Sequence, residues 1–117
     1  MPTIRDVVQV LARREGVDAV IVLGDDGLPI DSQVADGIDS EAVAAHLPAV
    51  LQACEELGRN ARRGELATGV LEFAGGFAVL ANLSADAKLL VLLKPRANLG
   101  PLLYDLARHR AKIAQLL

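Results

Sequence analysis

Ala19-Val20-Ile21-Val22-Leu23 is an unbroken aliphatic run that leaves through Gly24-Asp25-Asp26-Gly27. A run this short, closed by a tight-turn sequence, reads as a strand buried on both faces. Leu89-Leu90-Val91-Leu92-Leu93, near the end of the chain, has the same character. Strands apolar on both faces need cover above and below. Helices are therefore expected on both sides of one sheet, with these two strands at its centre.

The rest of the chain fits around that centre. Thr3-Ile4-Arg5-Asp6 has the form of a capping box, and Ile4, Val7, Val8 and Leu11 recur at helical spacing, giving a first helix that ends near Gly16. After the first buried run, Leu28, Ile30 and Val34 are interleaved with polar Asp31 and Gln33, the pattern of a half-buried strand, and Pro29 places it at a sheet edge. Asp36-Gly37-Ile38-Asp39-Ser40 ends that hairpin and caps the longest helix, expected over about 41–63 with Gly64 as its stop. Three strand-like runs follow, at 66–73, 77–83 and 88–94, separated by Gly75-Gly76 and by Ser84-Ala85-Asp86. Asn98 then caps a closing helix that reaches Leu117, with Pro101 tolerated in its first turn. The expected order is α-β-β-α-β-β-β-α. That describes one α/β (α+β) domain over 1–117, a five-stranded, mainly antiparallel sheet with helices on both faces and no linker, repeat or low-complexity segment. The run 66–73 contains neither Pro nor Lys, the usual blocks on edge pairing, so as an edge it is open to a twin.

Composition narrows the function. The 117 residues are 52% hydrophobic but only 3% aromatic, without Trp. So much aliphatic side chain in a small chain fits either a tightly packed Ala-rich core or apolar surface covered by a partner. The formal net charge of −3 argues against nucleic acid, which needs a basic footprint. No basic start followed by an apolar run opens the chain, and the longest apolar-looking stretch, 70–83, carries Glu72, Gly75, Gly76 and Asn82. No membrane insertion is expected, and a single cysteine, Cys54, leaves no disulfide framework. These features point to a cytoplasmic protein.

The long helix is the most informative element. Wound at about 100° per residue, it brings Val43, Leu47, Val50, Cys54, Leu57 and Ala61 to one face, which should lie on the sheet. A second stripe holds small residues, Ala42, Ala49, Ala53 and Asn60, with Ala45 beside it. Small side chains let another helix come close, either in the chain's own core or in a second copy. With no other helix expected on that side, the second copy is favoured. The remaining face shows Gln52, Glu55, Glu56, Arg59 and Arg63, either a solvated surface with Glu–Arg pairs or a polar docking face. Pro48 removes a hydrogen bond inside this helix, so a kink or a restart is expected there.

Catalytic chemistry finds no foothold. No phosphate-cradling GxxxxGK[ST] and no GxGxxG is present, and Gly24-Asp25-Asp26-Gly27 lacks the carboxylate spacing of a calcium loop. His46 and His109 have no zinc-type partners, and no metal or cofactor is expected. His109 lies among Arg108, Arg110 and Lys112 near a helix C-terminus, where cations complement the dipole. Arg110 falls near the apolar face and should carry its guanidinium outward to solvent. Cys54 reads as a small core hydrophobe, and no Ser-based nucleophile elbow appears. The chain is not expected to be an enzyme.

Taken in order, Gly16-Val17-Asp18-Ala19-Val20-Ile21-Val22, the Asp26-Gly27-Leu28-Pro29-Ile30 hairpin, Gly64-Glu65-Leu66, Leu89-Leu90-Val91-Leu92-Leu93 and Ala97-Asn98-Leu99-Gly100 resemble the Roadblock/dynein light chain family. The resemblance covers nearly the whole chain. It implies a profilin-like roadblock architecture and a homodimer in which third strands pair edge to edge while second helices lie side by side. Ala42, Ala45, Ala49 and Ala53 on the helix and Thr68, Val70 and Glu72 on the strand would then form the dimer interface. Prokaryotic members similar to the gliding-motility regulator imply a small Ras-like GTPase as partner and stimulation of its hydrolysis. By analogy Gln52, Glu56, Arg59 and Arg63 would face that partner, positions taken from helix geometry. The alternative is a passive homodimeric adaptor in a larger complex.

Overall fold

Thr3 opens the first helix. Its hydroxyl accepts the Asp6 N–H at 3.2 Å and its own N–H donates to the Asp6 carboxylate at 2.8 Å, the reciprocal box foreseen from the sequence. The structure is a computed structural model that describes residues 2–117. The first helix, α1 (Ile4–Ala12), stops short of Gly16, because Arg13 caps it and the chain turns into the sheet through Gly16 at φ 84°. The other elements are β1 (Val17–Gly24), β2 (Pro29–Val34), α2 (Ser40–Asn60), β3 (Thr68–Phe73), β4 (Gly76–Ser84), β5 (Ala87–Leu93) and α3 (Leu99–Ala114).

The five strands form one sheet in the order β2-β1-β5-β4-β3, and every neighbouring pair is antiparallel. The two runs apolar on both faces are β1 and β5, adjacent at its centre. Pro29 does lie on an edge strand, where a missing N–H costs no ladder bond. The third strand is the opposite edge and is two residues shorter than the apolar run suggested, starting at Thr68. Leu66 precedes it, packs against the core beneath α2 and lends its carbonyl to the Asn82 amide at 3.1 Å.

Strand alternation divides the core in two. On one face α1 and α3 cover Val20, Val22, Leu89 and Val91 with Val8, Leu11, Leu102 and Leu106. On the other, α2 alone covers Ile21, Leu23, Leu80 and Leu90, chiefly through Leu47. Each fully buried aliphatic side chain contributes roughly 1.5–3 kcal/mol, so both layers are needed to hold the sheet.

The second helix differs from its sequence reading in three ways. Of the kink or restart expected at Pro48, it shows no restart and runs on as one helix. The proline ring sits over the β1–β2 turn instead. A Cβ built on buried Gly27, at φ 81°, would be 2.8 Å from Pro48 Cγ and 3.6 Å from the Ala44 carbonyl oxygen, the acceptor the proline leaves without its N–H. Second, the helix ends at Asn60. The Arg63 N–H bonds the Gly58 carbonyl at 2.8 Å and the Arg62 N–H bonds that of Arg59 at 3.1 Å, a Schellman motif that places Arg62 in the left-handed region at φ 56°. Gly64 is therefore beyond the stop, and Arg63 lies outside the helix. Third, only the first part of the apolar stripe meets the sheet. Val43, Leu47, Val50 and Cys54 are buried or half-buried, but Leu57 is 68% exposed and Ala61 is exposed as well.

Candidate functional site

The third strand carries an unusual load for an edge. From Val70 to Phe73 every residue is exposed, at 43% for Val70, 47% for Leu71 and 59% for Phe73. Its inner side pairs with β4, Val70 opposite Val79 and Leu71 opposite Ala78. Its outer N–H and C=O groups have no strand beside them. Leu71 and Phe73 point to the face that α2 occupies, since their pairing mates alternate with Leu80 of the layer beneath that helix. Val70 and Glu72 point to the α3 face, as does Thr68 at the strand's start. Edge strands are normally blunted by charge, proline or cover, and this one has a single charge, Glu72.

The outer surface of α2 is equally open. Ala42, Ala45, Ala49 and Ala53 are all exposed, as are Gln52, Glu56, Arg59 and Arg63. No ion pair forms within α2 among the described residues, so the Glu–Arg pairing that would make this a self-satisfied solvated face is absent. The structure keeps the Ala residues and the polar residues on one accessible helix but separates Arg63, which lies past the Schellman turn.

Between α2 and the segment leading into β3 lies a cleft of about 630 Å³, lined among others by Gln52, Glu55, Glu65, Asn82, Lys88 and Arg110. The buried Lys88 ammonium is satisfied by the Ser84 and Ala85 carbonyls of the β4–β5 turn, at 2.5 and 3.5 Å. Arg110 does not reach out to solvent as its position suggested. It donates from Nη2 to Thr68 Oγ1 at 2.5 Å, tying α3 to the start of β3, while its Nε is buried without a partner. Asn82 donates to Leu66 but leaves its buried Oδ1 unpaired. Sequence reasoning missed this clasp, which only the pairing of Thr68 with Ala81 on the α3 face brings within reach.

Among the described residues no group of three or more His, Cys, Asp or Glu is placed to hold a metal ion, and Cys54 is half-buried on α2. One carboxylate is clearly perturbed. The hydrogen bond from Arg14 holds Asp105 below the ordinary carboxylate range, assisted by the charges of Arg14, His109 and Arg108 and opposed by desolvation. That pair, at 2.7 Å, joins the end of α1 to α3 and is a structural clasp. No described helix is long and apolar enough to cross a membrane.

The arrangement has known counterparts. Residues 3–93 match the family model described as the Roadblock/LC7 domain. Three uncharacterized proteins of Methanocaldococcus jannaschii are each 30% identical over 103 residues, 88% of this chain and 86–90% of their own lengths. Among solved structures, Myxococcus xanthus MglB superposes with a TM-score of 0.87 at 18% identity, covering 97% of this chain and 93% of that one. A Roadblock/LC7 domain from Streptomyces avermitilis gives 0.82 at 19% identity, with 93% and 92% covered. Myxococcus xanthus MglC gives 0.68 at 22% identity, with 97% and 98% covered.

Proposed function

Because the chain belongs to the Roadblock/LC7 domain family, we propose that it is a homodimeric, non-catalytic regulator of a small Ras-like GTPase. The observation that carries this reading is the third strand, an edge with exposed Val70, Leu71 and Phe73 and no neighbour on its outer side. A second copy supplies the missing strand. The two β3 edges pair about a twofold axis, Thr68, Val70 and Glu72 meeting their counterparts, and the sheets become continuous. Ala42, Ala45, Ala49 and Ala53 then let the two α2 helices approach closely across the doubled sheet, covering Leu71 and Phe73.

The GTPase docks on the polar face of the helix pair, through Gln52, Glu56, Arg59 and Arg63. The fold likeness to MglB, and to the Thermus thermophilus gliding protein of that name, supports this class of partner. One observation favours the second reading, a passive homodimeric adaptor. Among the described residues none of these four side chains is held by a hydrogen bond or ion pair, and a group that acts on a nucleotide in a partner must be held in place. Both readings place the protein in the cytoplasm.

The test is capture of partners from native lysate on the immobilised chain, with a GTP analogue and GDP compared by mass spectrometry. A small GTPase retained preferentially with the analogue, and lost with Arg59→Glu, supports the regulator. Retention of other proteins without nucleotide dependence moves the assignment to the adaptor.

A further inference from the structure

The sheet has two edges, and β2 is closed where β3 is open. The Ala35 N–H bonds the Asp18 carbonyl at 2.8 Å. In the same register Gln33 opposite Val20 and Asp31 opposite Val22 turn their main-chain groups toward β1. By alternation the N–H and C=O of Ser32 and Val34 turn outward, where no described strand lies. Those of Ser32 are nevertheless both taken. Its N–H donates to Asp31 Oδ1 at 2.8 Å, and its carbonyl accepts from Arg5 Nη1 at 3.2 Å. The same Nη1 donates to Asp31 Oδ1 at 2.6 Å, so one guanidinium and one carboxylate close a ring over the middle of the strand. Arg5 reaches it from the first turn of α1, its side chain 52% exposed. Pro29 and the register shift at Val22/Leu23 blunt the hairpin end of the same strand.

We infer that Arg5 guards the β2 edge: with Asp31 it occupies the main-chain groups of Ser32 that a further strand needs, and so confines strand pairing with other chains to β3. The strand it excludes is β2 of another copy. When β3 edges pair, β2 is the edge left at each end of the doubled sheet. A twofold axis centred on Ser32 sets Val34 against Ile30 and Gln33 against Asp31, apolar against apolar and amide against carboxylate. The strand is therefore self-complementary once the guard is gone. With the guard in place, an incoming strand must break both Ser32 bonds and strand a guanidinium at the new contact. An ion pair this exposed adds little to folding, and Val8 and Leu11 hold α1 on the sheet without it. The inference goes beyond the β3 dimer, which sets only the size from which further growth would start.

The test is sedimentation of the intact chain and of the double variant Arg5→Ala, Asp31→Ala, from tens to hundreds of micromolar. The double variant loses one charge of each sign, so the net charge stays at −3. The parent should hold one mass over this range, and the double variant should rise to at least about twice that mass. Hydrogen exchange at the outward Val34 amide should slow as the variant grows, because that N–H gains a strand partner. Adding Ser32→Pro should return the variant to the parent's mass, since a proline whose missing N–H faces outward costs no ladder bond but bars a neighbour. This third change separates edge pairing from aggregation of a misfolded chain, which proline would not cure. Arg14→Ala, Asp105→Ala removes an ion pair away from both edges and should keep the parent's mass. The proposal is overturned by a double variant that stays at the parent's mass, by growth that Ser32→Pro leaves unchanged, by equal growth of the Arg14, Asp105 control, or by growth without slowed exchange at Val34. A parent at single-chain mass contradicts the β3 dimer and not the guard, which is read from growth relative to the parent.

Discussion

Arg62 holds a conformation that an L-residue adopts at a cost. At φ 56° it occupies the position of the α2 Schellman motif that glycine usually fills, and no other described non-glycine residue has a positive φ. Replacing Arg62 with Gly should stabilise the protein by about 0.5–1 kcal/mol, read as a raised urea midpoint at fixed protein concentration with m unchanged. Gly27 presents the opposite case. It combines φ 81° with a Pro48 ring that leaves no room for a Cβ, so Gly27→Ala should destabilise by about 1–3 kcal/mol. Trimming the ring in the Gly27→Ala, Pro48→Ala double variant should recover the steric part but not the backbone part. A fully additive cycle would mean the two residues do not press on one another. At Asp105 the sign is set by a folded pKa lowered below the ordinary 3.8, mainly by the Arg14 hydrogen bond. The clasp therefore contributes above that value and is lost as pH falls through the lower folded pKa. Asp105→Asn should lower stability near neutrality by a small amount, the side chain being 42% exposed, and the difference from the parent should vanish in acid.

At the scale of elements, the sequence carried the architecture because each element announces itself locally. The box at Thr3, the caps at Asp39 and Asn98 and the two-faced aliphatic runs of β1 and β5 are short-range signals, and all are in place. What failed depended on tertiary fit. The periodicity of α2 continues to Ala61, yet Leu57 and Ala61 find no sheet beneath them, since periodicity records which face is apolar and not how far the layer below extends. Of the kink or restart expected at Pro48, the restart does not occur, and the Gly27 turn that receives its ring is distant in sequence. Arg110 was placed in solvent because its partner, Thr68, comes near only through the register of β3 on β4. The outward-facing residues of α2 were legible as a face, but nothing local distinguishes a surface awaiting a helix from one awaiting water. For β3, Val70→Pro should weaken self-association by removing a ladder donor while leaving the monomer folded, because Val70 lies on an edge. Sedimentation showing an unchanged dimer of this variant would remove the strand from the interface.

On the scale of the whole molecule, two layers of unlike construction flank one sheet. One face is closed by two helices, while the other is covered by α2 alone and ends in an apolar edge. An aliphatic-rich chain with 52% hydrophobic residues could have hidden all of them in its own core; instead Leu57, Leu71 and Phe73 remain outside it. Replacing Ala53 with Glu should split the proposed dimer, because a carboxylate at a close helix contact is desolvated without a partner. The central claim is that a second copy covers this face, and light scattering on the eluting protein tests it most directly. The parent chain should elute at twice its 12.3 kDa mass and Ala53→Glu at the single-chain mass, with an unchanged circular dichroism spectrum. A parent chain that stays monomeric at tens of micromolar, or a variant that stays dimeric, would contradict it.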